Sequence, residues 1–142
     1  MVKSAWNPLF LIHREDERFI RLAGEQARNF GFEYSSPVPS PDGYIEDGME
    51  ITAGGIHLRV ITVPGHSRGG VAFYNAADGW VFTGDSLFAG GIGRTDLPGG
   101  DYDQLIAAIH DKLLVLPGDT RVFPGHGPSS TIANELQTNP FL

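Results

Sequence analysis

A chain of 142 residues has room for one domain with its own core, so a single domain over residues 1–142 is expected. Hydrophobic residues at 41% and charged residues at 19% fit a globular protein, and 19 glycines with 10 prolines predict many tight turns between short elements. A net charge of −7 without clustered Lys and Arg argues against a nucleic-acid binder, and zero cysteines exclude disulfides, thiolate metal sites and a cysteine nucleophile.

A metal would therefore have to be held by His, Asp or Glu, and the expected partner is a small molecule or another protein. Met1 to Asn7 show no charged stretch followed by an apolar one, and no apolar run reaches bilayer length, so no membrane association and a cytoplasmic location are expected.

In chain order, Leu9 to Ile12 predict a strand ending at His13, and Arg14 to Asn29 predict an amphipathic helix with Phe19, Ile20, Leu22, Ala23 and Ala27 near helical spacing. The prolines between Ser35 and Gly43 predict a loop. From Met49 the pattern turns to β: Met49 to Ile51, a Gly54-Gly55 turn, then Ile56, Leu58, Val60 and Ile61, stopping at Pro64-Gly65. Val71 to Tyr74 and Trp80 to Thr83 predict a hairpin turning at Ala77-Asp78-Gly79. A glycine-rich loop, Ala89 to Gly100, precedes a helix over Tyr102 to Leu116 whose apolar face is Leu105, Ile106, Ile109, Leu113 and Leu116, ended by Pro117-Gly118. Arg121 to Phe123 predict a short strand, and Ser129 to Gln137 a last helix capped by Ser129 or Ser130.

Three strand ends lead into polar, glycine-containing turns: Pro64-Gly65-His66-Ser67, Thr83-Gly84-Asp85-Ser86 and Pro124-Gly125-His126-Gly127. Strand ends present side chains from a rigid sheet, and glycine permits close backbone approach, so the pattern suits two imidazoles and a carboxylate aimed at one point. Ordinary β-turns with incidental polar residues are the plainer reading of the spacing alone. Capping or packing is expected of His13, and surface positions of His57 and His110. Arg94 and Asp96, in the glycine-rich loop, suit either contact with an anionic substrate or support of a metal ligand, or else a salt bridge within the loop. Gly65-His66-Ser67-Arg68-Gly69 also satisfies G-x-S-x-G, with Ser67, Asp85 and His126 in the order nucleophile, acid, base; but a β run follows it where a serine-hydrolase elbow needs a helix.

The three turn motifs, in this order and spacing, resemble the third-histidine, bridging-aspartate and last-histidine motifs of the metallo-β-lactamase fold. Gly91 to Asp96 and the closing Asn139-Pro140-Phe141-Leu142 are similar to its glyoxalase II-like (hydroxyacylglutathione hydrolase-like) branch. The resemblance implies an α/β fold, a four-layer αββα sandwich, here its C-terminal half with part of the N-terminal half. It implies that His66 binds one zinc, His126 a second, and Asp85 bridges both as the catalytic carboxylate, with iron or manganese as alternative metals. The implied reaction is hydrolysis of a thioester such as S-2-hydroxyacylglutathione.

The family's H-x-H-x-D-H motif does not occur in the sequence, since His13 is followed by Arg14-Glu15-Asp16-Glu17. Four of the seven ligand side chains that the resemblance implies are then missing. An N-terminally truncated domain is the expectation, with a non-catalytic binding or regulatory subunit, or half of a split enzyme, as alternatives; an iron persulfide dioxygenase shares much of the motif set. An apolar layer of Val60, Ile61, Val71, Phe73, Val81 and Phe82 is expected to lie open, favouring a homo-oligomer or a partner chain that covers it.

Overall fold

The computed structural model describes residues 5–29, 31–33 and 38–142. The chain folds into two compact units, Met1–Ile45 and Glu46–Leu142. The first holds strand β1 (Leu11–His13), helix α1 (Glu17–Asn29) and strand β2 (Gly43–Ile45). Between β1 and α1, Arg14–Asp16 form a 3₁₀ turn capped by His13, whose side chain accepts from the Glu15 N–H at 3.4 Å, so the capping role expected of that histidine is the one it has. β1 and β2 pair in parallel, Leu11 beside Gly43 and His13 beside Ile45. Three residues are too few to show a period, which is why the sequence pattern does not predict β2. Of the proline-rich loop, residues 35–37 lie outside the described residues, and its last residue, Gly43, already belongs to β2.

The second unit contains β3 (Glu50–Ala53), β4 (Ile56–Thr62), β5 (Val71–Asn75), β6 (Trp80–Gly84), β7 (Leu87–Phe88), β8 (Gly91–Ile92), helix α2 (Tyr102–Ala108), β9 (Arg121–Pro124), β10 (Ser130–Thr131) and helix α3 (Ile132–Thr138). Six of the strands form one mixed sheet in the order β10-β9-β6-β5-β4-β3, and β7 and β8 make a separate small hairpin. All neighbours in the large sheet are antiparallel except β6 and β9, which run parallel. Helix α2 lies in the crossover between them, so the carboxyl ends of β6 and β9 are adjacent.

Strand registers decide which apolar residues share a face. Val60 pairs with Phe73, Phe73 with Phe82, and Phe82 with Phe123, all on one side. Ile61 pairs with Ala72, and Tyr74, Val81 and Val122 form a row on the other side. The second set packs with Leu105, Ile109, Leu113, Leu116 and Ile132 into the main core. The expected single open layer is therefore corrected: Ile61 and Val81 are buried under the helices, and on the opposite face Val60 is buried too, while Phe82 is 48% exposed.

Helix α2 begins at Asp101, whose carboxylate accepts from the Gln104 N–H at 3.0 Å, and continues as a π-helical turn over Ile109–Leu113. The expected apolar stripe is buried at Leu105, Ile109, Leu113 and Leu116. The last helix starts later than predicted, and its cap is Thr131, whose hydroxyl accepts from the Asn134 N–H at 3.2 Å. Ser130 pairs instead with Val122 in the sheet. No helix among the described residues is long and apolar enough to cross a membrane.

Candidate metal centre

His66 sits in the turn that leaves β4, closed by the Val63 N–H donating to Gly70 O at 2.8 Å. Gly65 has φ of 129°, and a Cβ there would come within 2.5 Å of Leu105 Cβ, so only glycine lets the turn press against α2. The Asp101 N–H donates to Gly65 O at 2.8 Å and ties the turn to the start of that helix. Asp85 follows Gly84 at the end of β6, and His126 follows Gly125 at the end of β9. The Gly125 N–H donates to Gly84 O at 2.8 Å, holding these two strand ends side by side.

The three turns bring their side chains together. His66 Nε2 stands 3.8 Å from Asp85 Oδ2, and His126 Nε2 stands 3.9 Å from Asp85 Oδ1. Each carboxylate oxygen thus faces one imidazole. The separations exceed hydrogen-bond length but lie within the roughly 4.2 Å that two metal–ligand bonds of about 2.1 Å span end to end. His126 is the most open of the three, its side chain 75% exposed.

Both rings are held by groups that the sequence did not reveal. His66 Nδ1 lies 2.9 Å from Arg94 O. A carbonyl accepts only, so Nδ1 carries a proton, and in the neutral ring the Nε2 lone pair faces Asp85, the orientation a metal-binding histidine needs. The Phe88 ring lies 4.5 Å from the His126 ring at an interplanar angle of 33°. A backbone carbonyl has no signature in sequence, and Phe88 belongs to a two-residue strand with no readable period.

The side chains of Arg94 and Asp96 engage each other, Nε to Oδ1 and Nη2 to Oδ2, both at 2.8 Å. Hydrogen bonding from Arg94 holds the Asp96 carboxyl down at about 2. His57 is exposed, with Nδ1 3.1 Å from Thr52 Oγ1, and His110 is exposed on the helix, as expected of both. Ser67 lies between β4 and β5, and its carbonyl accepts from the Gly65 N–H at 2.9 Å. No helix follows it, so the strand-to-helix elbow of a serine hydrolase is not formed.

The donor chemistry suits a divalent metal: two imidazoles, one with its protonation fixed by a carbonyl, and a carboxylate presenting one oxygen to each. The number of donors does not complete a cage. Among the described residues no three His, Asp or Glu side chains converge as a metal-holding group. Each side of Asp85 offers two protein ligands, against the three or four of protein zinc sites.

The chain belongs to the metallo-beta-lactamase superfamily, whose family description matches residues 1–126. It is 37% identical over 141 residues to a "probable metallo-hydrolase", YqgX, of Bacillus subtilis, covering 99% of this chain and 67% of that protein. It is 38% identical over 136 residues to the hydroxyacylglutathione hydrolase GloC of Haemophilus influenzae, covering 92% and 61%. Among solved structures it is similar to TTHA1623 in a di-iron-bound form, with a TM-score of 0.90 and 40% identity over 99% of this chain and 68% of that one. These likenesses bear out the α/β metallo-β-lactamase fold expected from the sequence. The chain spans about half to two thirds of the length of the curated relatives it matches.

Proposed function

We propose that His66, Asp85 and His126 are ligands of a binuclear metal centre, bridged by Asp85, in a metal-dependent hydrolase acting on a thioester of the S-2-hydroxyacylglutathione type. The observation that carries this reading is the placement of one imidazole Nε2 opposite each Asp85 oxygen, at 3.8 and 3.9 Å. The hydroxyacylglutathione hydrolase among the relatives supports the substrate class. Zinc is the proposed metal, with iron next because a di-iron form is known in a similar structure.

When bound, such ions lower the pKa of water and polarise the carbonyl under attack. This chain's own residues hold and orient. Arg94 O keeps the proton on His66 Nδ1, Phe88 braces the His126 ring, and the Gly84–Gly125 hydrogen bond keeps Asp85 and His126 on neighbouring strand ends. Two side chains for each ion fall short of a stable site. Hydrolysis then requires further donors of the H-x-H-x-D-H kind.

The test joins this chain to a segment carrying that motif from a superfamily relative, then measures metal content and turnover of an S-2-hydroxyacylglutathione. The joined protein is expected to bind two ions and hydrolyse the thioester. The chain by itself is expected to be no faster than a His66→Ala, Asp85→Ala, His126→Ala triple variant. Two bound ions that survive Asp85→Asn would overturn the bridging assignment, and two ions without thioester turnover would overturn the substrate class.

A further inference from the structure

We propose that Glu135 is the positioning residue of this centre: its buried carboxylate anchors the β7–β8 hairpin, and that hairpin sets both imidazoles. The inference rests on the reading of His66 and His126 as metal ligands. Glu135 is fully buried on α3 and has no part in the proposed chemistry. Burial pushes its carboxyl up, but hydrogen bonds from Ser130, the Gly90 N–H, Asn134 and Asn139 outweigh that and hold it below the ordinary glutamate value. It is thus a buried carboxylate met by neutral donors, an arrangement with little tolerance for the loss of one partner.

The donors show what the carboxylate is for. The Gly90 N–H reaches Glu135 Oε2 at 2.8 Å, and Asn139 Nδ2 donates both to Glu135 Oε2 at 2.9 Å and to Gly91 O at 3.1 Å. The turn of the hairpin is therefore gripped at one N–H and one C=O. From that turn the hairpin runs in two directions. Backwards, Phe88 pairs with Gly91 and lays its ring against His126. Forwards, the Gly93 N–H donates to Ser86 O at 3.1 Å, and one residue on, Arg94 O accepts a hydrogen bond from His66 Nδ1. The hairpin sets the Phe88 ring against the His126 ring and leads, two residues on, into the carbonyl that bonds His66, and Glu135 anchors the hairpin.

The experiment uses the full chain, metal-free and labelled with [15N]histidine, at a pH where the rings are neutral. Long-range proton–nitrogen spectra read the His66 tautomer and the ring environment of His126, and thermal melting is measured alongside. Wild type is expected to show one Nδ1–H tautomer for His66 and a His126 ring shifted by Phe88. Glu135→Gln replaces one carboxylate oxygen by an amide NH2, set against either Ser130 Oγ and Asn134 Nδ2 or the Gly90 N–H and Asn139 Nδ2, and it is expected to mix the His66 tautomers and abolish the Phe88 shift. Ile132→Val, which trims the core beneath the same helix, is expected to lower the melting temperature and leave both rings unchanged. If Glu135→Gln does not fold, Asn139→Ser, which removes the bond to Gly91 O, carries the same readout. The proposal is overturned if the folded variant keeps both wild-type ring signatures, or if Ile132→Val displaces them equally. The measurement involves neither metal nor thioester, so its failure is distinct from failure of the hydrolase reading.

Discussion

Gly125 leaves no room for a side chain beside Asp85: a Cβ on its backbone would stand 2.5 Å from Asp85 Oδ1. The obstructed atom is the end of a side chain, which can swing away. Gly125→Ala is therefore expected to leave folding nearly intact while turning the carboxylate from His126. Measured by chelator competition on the protein complemented with H-x-H-x-D-H, metal affinity should fall about 10- to 100-fold. Gly93→Ala makes the contrast, because its Cβ would overlap the backbone carbonyl of Asp85, which has no rotamer to escape into. That variant should lose about 1–3 kcal/mol of stability in denaturant titration. Unchanged metal affinity in Gly125→Ala would show that the carboxylate orientation is immaterial.

An organophosphonate probe is expected to leave Ser67 unlabelled, because the turn that holds it passes from β4 into β5 and offers no elbow. Intact-protein mass spectrometry reads the outcome. One stoichiometric adduct lost in Ser67→Ala would restore the serine-hydrolase alternative.

Acid should weaken the fold through Glu135 and Asp47. Burial pushes the Asp47 carboxyl up, but the Thr62 N–H and hydroxyl and the Lys112 ammonium pull it below its ordinary value. Both carboxyls have folded pKa values below their unfolded ones. Their contribution is full above the unfolded values, ordinarily 3.8 for Asp and 4.5 for Glu, and is lost as pH falls through the folded values. Melting temperature is expected to drop from about pH 4.5 downward, with a shallower drop in Glu135→Gln. An identical acid slope in that variant would remove Glu135 from the explanation.

The face opposite α2 should be adhesive. Phe82 is 48% exposed, its ring centroid 4.8 Å from Trp80 and 5.8 Å from Phe123, and the half-buried Phe73 lies beside it, while Val60 at the far end of the row is buried. Such a strip favours contact with a second copy or another chain. Sedimentation velocity is expected to show a dimer or larger species, or else a monomer that binds a hydrophobic dye, and Phe82→Ser should reduce either behaviour. A dilute monomer with a sharp melt and no dye binding would contradict it.

The gathering of His66, Asp85 and His126 was legible because three apolar strands each lead into a glycine beside one of them, and the stripe Leu105, Ile109, Leu113, Leu116 announced the helix that separates β6 from β9. What escaped was built from pieces too short for a period. Of the hairpin of β7 and β8, β8 lies within what reads in sequence as the glycine-rich loop Ala89 to Gly100, and β7 with Phe88 just before it shows no pattern at all. Thr131 rather than Ser129 or Ser130 caps α3 because the pairing of Ser130 and Thr131 with Val122 and Arg121 delays the helix to Ile132, a choice set by the sheet. The faces of the sheet were likewise beyond reach: Ile61 and Phe73 are both apolar, and only the strand register puts them on opposite sides.

The grip of Glu135 and Asn139 on the hairpin also bears on when the protein takes shape during synthesis. Gly90 and Glu135 are 45 residues apart in the chain, and Gly91 and Asn139 are 48 apart. Closing loops of that size costs entropy that no local contact returns. A ribosome adds about 5–20 residues each second, so His66 and Asp85 exist for seconds before the segment that steadies their neighbours has been made. Up to that moment Gly90 and Gly91 lack the partners that hold them, and the hairpin gains its anchor only with the last helix.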